Sequence, residues 1–183
     1  MKIQEQENIL ADMCVIAPTV YRDNRGCFFE SWNEREFSQL TGANFHFVQD
    51  NRSVSKAHVL RGLHYQVSRP QGKIVTALKG TIFDVAVDLR KSSPTFGKWF
   101  GIELSGINKL QVWIPPGFAH GFLVCSPVAE VAYKTTDYYS PKDERCIVWN
   151  DPVLDIDWQA RDTPILSSKD AAGDPFELAE LFE

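Results

Sequence analysis

The amino-acid sequence predicts an all-β protein, an antiparallel β-barrel or sandwich with a few short helices at its periphery and C-terminus. Three observations point there. Short runs rich in β-branched and aromatic residues recur through the middle of the chain, with Gly, Pro and Asn turn residues between them; strands at such spacing build sandwiches and barrels rather than parallel βαβ sheets. Helix signals occur only near the two ends. The 183 residues carry no low-complexity linker and no repeat of 20 to 50 residues, which fits one domain over 1–183 able to bury roughly 70% of the surface its unfolded chain exposes.

Taken in order, Asn33 followed by Glu36 ahead of Phe37 and Leu40 predicts a short capped helix. Lys73 to Leu78 and Thr81 to Leu89 are strand runs separated by Lys79-Gly80, a hairpin signal. In the second run Phe83, Val85, Val87 and Leu89 share one face, while Ile82, Asp84, Ala86 and Asp88 share the other. Asp84 and Asp88 therefore stand on one side of the strand, as structural or functional carboxylates. Further strands are expected at Phe100 to Leu104, Leu110 to Ile114, Gly121 to Val124, Val128 to Thr135 and Cys146 to Trp149, with Gly106-Ile107-Asn108 and Pro115-Pro116-Gly117 as turns. Ser167 to Ala172 and Phe176 to Phe182 can each form a helical turn or two.

Composition narrows the function. A content of 44% hydrophobic and 23% charged residues is that of a folded globular chain. A net charge of −5, with no block of Lys and Arg, argues against a nucleic-acid or anionic-membrane surface, although a few local arginines can still hold a phosphate. No apolar run approaches the ~20 residues of a membrane span. Gln4 to Asn8 are polar where a signal peptide needs an apolar stretch, so a cytoplasmic protein is expected, with Cys14, Cys27, Cys125 and Cys146 as reduced, buried thiols. The dinucleotide Gly-x-Gly, the P-loop, His-Glu-x-x-His and Gly-x-Ser-x-Gly are all absent.

Four histidines remain as candidate chemistry. His46 and His58 sit in surroundings that suit structural or solvated roles. His64 lies in Leu60-Arg61-Gly62-Leu63-His64-Tyr65-Gln66, and His120 follows the turn in Pro115-Pro116-Gly117-Phe118-Ala119-His120. The stretch Pro115-x-Gly117-x-x-His120 resembles the second sequence motif of cupins, which implies a jelly-roll barrel or sandwich. The first motif, His-x-His with a following carboxylate, is broken: position 66 is Gln, and Lys73 is a poor ligand while protonated. No metal is expected.

Many blocks in order resemble the dTDP-4-dehydrorhamnose 3,5-epimerase family. They include Asp23-Asn24-Arg25-Gly26, Phe47-Val48-Gln49-Asp50-Asn51, Leu60 to Gln66, Gln71-Gly72-Lys73, Phe83 to Asp88, Trp113-Ile114-Pro115, Tyr138-Tyr139-Ser140-Pro141 and Ser168-Lys169-Asp170. The resemblance implies a cofactor-free epimerase that removes the acidic hydrogens beside the C4 ketone of a dTDP-4-keto-6-deoxy sugar, in dTDP-L-rhamnose biosynthesis. It implies His64 as base, Asp170 as its orienting carboxylate, Lys73 as the cation facing the enolate oxygen and Tyr133 as the acid on the opposite face. It places Arg25, Glu30, Gln49, Asn51, Arg61, His120, Glu144 and Lys169 around the nucleotide sugar, the arginines suiting diphosphate because a guanidinium bonds two oxygens at once. Tyr138 is the aromatic it offers to thymine, with strand packing as the competing role. A homodimer is implied, the N-terminal strands crossing to the partner and the Arg25 region helping complete its site. An enzyme inverting only C3 or only C5 is the alternative; a non-catalytic sugar-binding cupin and a metal-dependent cupin are remoter ones.

One point of register bears on all of this. Strict alternation would put Arg61 and His64 on opposite faces of a strand. Gly62 is expected to supply a bulge that returns both to one face.

Overall fold

The structure, a computed structural model, describes residues 1–42 and 44–183. The elements run β1 (Lys2–Gln4), β2 (Cys14–Ala17), β3 (Tyr21–Asp23), β4 (Gly26–Phe28), α1 (Glu34–Thr41), β5 (Gln49–Lys56), β6 (Leu60–Gln66) and β7 (Lys73–Lys79). They continue through β8 (Thr81–Asp88), β9 (Trp99–Ser105), β10 (Gln111–Ile114), β11 (Phe118–Val124), β12 (Val128–Thr135), β13 (Glu144–Cys146) and α2 (Ser168–Ala171), with a final 3₁₀ turn at Phe176–Leu178. Two antiparallel sheets form the body, in the orders β1-β2-β10-β7-β12-β5 and β13-β6-β11-β8-β9; β3 and β4 make a separate hairpin.

Each sheet is covered on at least part of its outer face, and this explains the runs of apolar residues. Val75, Val112, Ile114 and Val131 of the larger sheet meet Ile82, Ala86, Phe118 and Phe122 of the smaller one in the core between them. The other parity of β8, Phe83, Val85 and Val87, lies under a C-terminal layer containing Leu154, Trp158 and Phe176. The two faces of β8 expected from period two are thus the two faces found, and both are buried. On the outside of the larger sheet Phe37 of α1 packs edge-on against Trp113, with Trp32, Phe45 and Phe47 around it.

Several expectations change. Lys79-Gly80 is a tight turn, with Gly80 at φ 74°, but not a hairpin: β7 and β8 belong to different sheets, and the turn carries the chain between them. A Cβ at Gly80 would meet the Val128 carbonyl at 2.1 Å, so that crossing needs glycine. Asn33 caps α1 by accepting the Glu36 N–H at 3.2 Å, but the Glu36 carboxylate takes the N-terminal ammonium of Met1 at 2.6 Å rather than closing a capping box. The run ending at Trp149 is strand only as far as Cys146. Of the four free thiols only Cys14 is buried; Cys146 is half-buried, and Cys27 and Cys125 are exposed.

Candidate active site

The site lies between the sheets, at the end where polar side chains replace the apolar core. A cavity of about 230 Å³ is lined by Arg61, His64, Lys73, His120 and Tyr133, with Gln66, Gln71, Ser53, Phe122, Tyr139 and Glu144 completing the walls. His64 and His120 face each other in register on β6 and β11 of the smaller sheet. Lys73 and Tyr133 come from β7 and β12 of the larger sheet. The imidazole and the phenol therefore stand on opposite walls.

Gly62 makes this arrangement possible. Between the pairs His120↔His64 and Phe122↔Arg61, β11 contributes one residue and β6 two, so β6 bulges. Leu60 and Leu63 remain in the outer layer, while Arg61 and His64 both reach the cavity. Gly62 has φ 113°, and a Cβ there would lie 2.6 Å from Gly121 Cα and from the His120 carbonyl. No other residue type fits that approach without a shift of backbone.

The bulge also anchors the imidazole. Gly62 N–H donates to Asp170 Oδ1 at 3.3 Å, and the same oxygen lies 2.5 Å from His64 Nε2. Ser167, the N-cap of α2, donates its hydroxyl to Asp170 Oδ2 at 2.6 Å and accepts the Asp170 N–H at 3.1 Å. Burial raises the Asp170 pKa, but the hydrogen bonds from His64 and Ser167 outweigh it and bring it down to about 2. A carboxylate fixed in this way orients the imidazole and can neutralise the imidazolium that forms when His64 takes a proton. Further along, the Asp151 carboxylate ties together parts of the C-terminal layer, accepting the N–H groups of Val153, Leu154 and Phe176.

Lys73 is buried, and its ammonium donates to the His64 carbonyl at 3.3 Å. Burial lowers its pKa to about 8, opposed by the charges of Asp84 and then Glu144. Asp84, singled out in the sequence by parity alone, is 2% exposed and lies 2.9 Å from His120 Nε2. Burial lowers the His120 pKa, with Asp84 opposing, so this second imidazole favours its neutral form. Burial raises the Tyr133 pKa, which keeps the phenol protonated and able to donate. Asp88, despite its shared parity with Asp84, is engaged elsewhere by Arg90, Ser93 and Thr95.

At the mouth, Glu144 pairs with Lys169 and accepts the Tyr139 hydroxyl at 2.6 Å. Arg61 is steadied by Ser55 Oγ at 3.0 Å. Gln49 donates to Asn51 at 2.9 Å and accepts the Tyr139 N–H at 3.1 Å, so both support the rim without lining the cavity. Arg25 and Glu30 are not in this cleft. Arg25 is exposed on the β3–β4 hairpin, bonded to Asp23 at 2.6 Å, and Glu30 follows it on the surface. Tyr138 is 55% exposed and outside the cavity wall; its neighbour Tyr139 takes that place. Gln66, where a metal cupin has histidine, bonds the carbonyls of Arg69 and Tyr138 and accepts the Ser140 N–H, pinning the rim loop. Ser53, Gln71 and Phe122 are wall residues that the sequence did not single out; for Ser53 the signal was its parity with Gln49 and Asn51.

A two-sheet antiparallel sandwich of the cupin jelly-roll type brings an imidazole–carboxylate pair, a buried ammonium and a phenol to one cleft, a set of groups able to take up and give back protons. Comparison narrows the class. The dTDP-4-dehydrorhamnose 3,5-epimerase family model matches residues 7–177. The chain is 56% identical over 173 residues to dTDP-4-dehydrorhamnose 3,5-epimerase of Pseudomonas aeruginosa, spanning 94% of this chain and 96% of that one. It is similar to the crystal structure of dTDP-6-deoxy-D-glucose-3,5-epimerase of Legionella pneumophila Philadelphia 1 in complex with dTDP-4-keto-L-rhamnose, with a TM-score of 0.94, 49% identity and coverage of 98% and 94%. A 3'-monoepimerase from Streptomyces bikiniensis in complex with dTDP-quinovose gives a TM-score of 0.86 at 30% identity, covering 92% and 85%. The chain belongs to the dTDP-4-dehydrorhamnose 3,5-epimerase family.

Proposed function

We propose that this cleft inverts C3 and C5 of dTDP-4-dehydro-6-deoxy-D-glucose to give dTDP-4-dehydro-L-rhamnose. The observation that carries the reading is the placement of His64 and Tyr133 on facing sheets of one cavity, with Lys73 lining it from the strand beside Tyr133. A ketone at C4 acidifies the hydrogens at C3 and C5. His64 removes one of them, the electron pair moves onto the C4 oxygen, and the Lys73 ammonium stabilises that enolate by charge and hydrogen bonding. Tyr133 then gives its proton to the far face of the same carbon and is reprotonated from solvent, while His64 releases the proton it took to solvent and is again a neutral base. Repetition at the second carbon completes the double inversion. Arg61, His120, Glu144 and Lys169 bind the nucleotide sugar around this centre, with Gln49 and Asn51 behind the rim.

The balance of protons closes without a redox step, so no nicotinamide or metal takes part in this scheme. Turnover that survived exhaustive chelation would support it; loss on chelation with recovery by one metal ion would overturn it. A homodimer accounts for Arg25 and Glu30, which lie on an exposed arm carrying Tyr21 and Phe28, 64% and 72% exposed, and would complete the neighbouring cleft. Sedimentation that found a fully active monomer at assay concentration would sink the dimer. Free thiols and the absence of any described helix long and apolar enough to cross a membrane are consistent with a cytoplasmic place for the reaction. Proton NMR of the product formed from dTDP-4-dehydro-6-deoxy-D-glucose tests the whole reading: inversion at both carbons is expected, and inversion at one would select the single-centre alternative.

A further inference from the structure

The dyad has a third neighbour that the acid/base scheme leaves unused. Cys146 stands opposite His64 in the β13–β6 ladder, so the two side chains emerge on the same face. The candidate donor atoms of His64, Cys146 and Asp170 all lie within 4.8 Å of one another. A tetrahedral zinc-type ion with bonds of about 2.0–2.3 Å holds its ligand atoms roughly 3–4 Å apart, so small side-chain rotations bring these three into range. Asp170 is already held from behind by Ser167 and the Gly62 N–H, the kind of outer support that fixes a metal-binding carboxylate. The donor set is nitrogen, sulfur and oxygen. That mixture suits thiophilic, borderline-soft divalent cations, whereas magnesium and calcium require oxygen ligands in greater number.

We propose that His64, Cys146 and Asp170 form an inhibitory site for a thiophilic divalent cation of the zinc or cadmium class. The ion sits on the Asp170 side of the imidazole, where Nε2 points. It displaces the thiol proton and the proton shared by His64 Nε2 and Asp170, and both leave to solvent. A thiolate, an imidazole nitrogen and a carboxylate remain as ligands, with water in the fourth position. No electron is transferred. The base has then lost the partner that balances its positive charge, and turnover stops while the nucleotide-binding residues are untouched. The binding part of the proposal stands on the cluster alone; only the inhibition part rests on the epimerase reading.

The test uses the intact protein with cobalt(II) and zinc(II) salts. Cobalt is expected to bind at one equivalent per chain with a thiolate-to-metal band in the near ultraviolet, which zinc abolishes by displacement. Zinc is expected to stop turnover reversibly, with recovery on chelation. Cys146→Ala, and independently Cys146→Ser, should turn over normally without metal, lose the cobalt band and need about tenfold more zinc or higher for half-inhibition. A variant lacking both exposed thiols, Cys27→Ala/Cys125→Ala, should behave as the wild type. A wild-type protein without the thiolate band, zinc inhibition unchanged in both Cys146 variants, or loss of the band in the Cys27/Cys125 variant would each overturn the site. A cobalt band that depends on Cys146 in a protein that does not turn over the keto sugar would uphold the site and defeat the epimerase reading instead.

Discussion

Asp84 and His120 form a second imidazole–carboxylate pair, 2.9 Å apart and almost completely buried, with His120 on the strand next to that of His64 and Asp84 one strand further on. Its carboxylate is the largest favourable charge acting on buried Lys73, ahead of Glu144. His64 and His120 face the ammonium from the smaller sheet, and Tyr133 lines the same cavity from the strand beside it. The pair is thus placed to keep an ammonium charged where burial alone would strip its proton.

A pH profile follows with a defined sign. Lys73 must be charged to stabilise an enolate, so kcat is expected to fall as pH rises through about 8. Asp84→Asn removes the charge that raises the Lys73 pKa, and the alkaline limb should move to lower pH, with kcat affected more than KM. The same depressed pKa means that the unfolded chain holds the Lys73 proton more tightly; the cost of the buried charge is present below about 8 and is relieved as pH rises through the folded and then the ordinary lysine value. A limb in Asp84→Asn that coincides with the wild type would leave Asp84 with a packing role only.

Removing the carboxylate of the dyad should act on rate and on acid stability together. Asp170→Asn is expected to lower turnover by roughly 10²-fold or more, and His64→Ala by roughly 10²–10⁴-fold, while nucleotide binding is retained. The folded pKa of Asp170, about 2, is depressed below the ordinary 3.8. Its stabilising contribution is therefore full above the ordinary value and is lost as pH falls through about 2. Denaturant titrations at a series of acidic pH values should show a shallower decline for Asp170→Asn than for the wild type. Near-normal turnover in both variants would break the dyad assignment.

What the sequence revealed follows from where each strand lies. β12 was legible over Val128–Thr135 because it is rich in β-branched and apolar residues, with Ala129 and Val131 on the parity that reaches the core. β5, Gln49–Lys56, was not, because its inner face ends in Ser53 and Ser55 beside the cleft and its outer face is exposed, leaving Val54 as its only large apolar side chain, and that one 66% exposed. The Lys79-Gly80 turn was visible as a turn, but nothing local says whether the next strand pairs with the last or crosses to the other sheet. The dyad was legible only through resemblance, since His64 and Asp170 are 106 residues apart. Cys146 beside them could not be foreseen, as its place depends on the register of β13 with β6.

Gly62 is where local sequence and site geometry meet, and it can be tested by one methyl group. Gly62→Ala adds a Cβ within 2.6 Å of backbone on β11 at a φ of 113°, so it is expected to cost about 2 kcal/mol or more. Gly42→Ala, at φ 68° with open space around it, should cost only about 1 kcal/mol. Turnover should fall in Gly62→Ala beyond what unfolding explains, because the same residue aligns Arg61 with His64 and donates to Asp170. Equal stability losses in the two variants, with normal turnover in both, would show that the bulge is not needed.

The division of labour between the two walls gives the sharpest test. In the proposed scheme His64 serves two carbons that flank one carbonyl, and each proton it takes can exchange with solvent before another is returned. In deuterated water the wild-type product should carry label at both C3 and C5. Tyr133→Phe removes the donor on the facing sheet and leaves the base, the ammonium and the cavity wall in place. His64 can then abstract a proton and return a deuteron to the near face, so label should enter substrate without full inversion, most at the carbon enolised first. Mass spectrometry and proton NMR of recovered material separate exchange from inversion. If Tyr133→Phe binds substrate and folds normally yet shows no exchange, the phenol is needed for the first proton removal as well, and the assignment of one face to each residue fails.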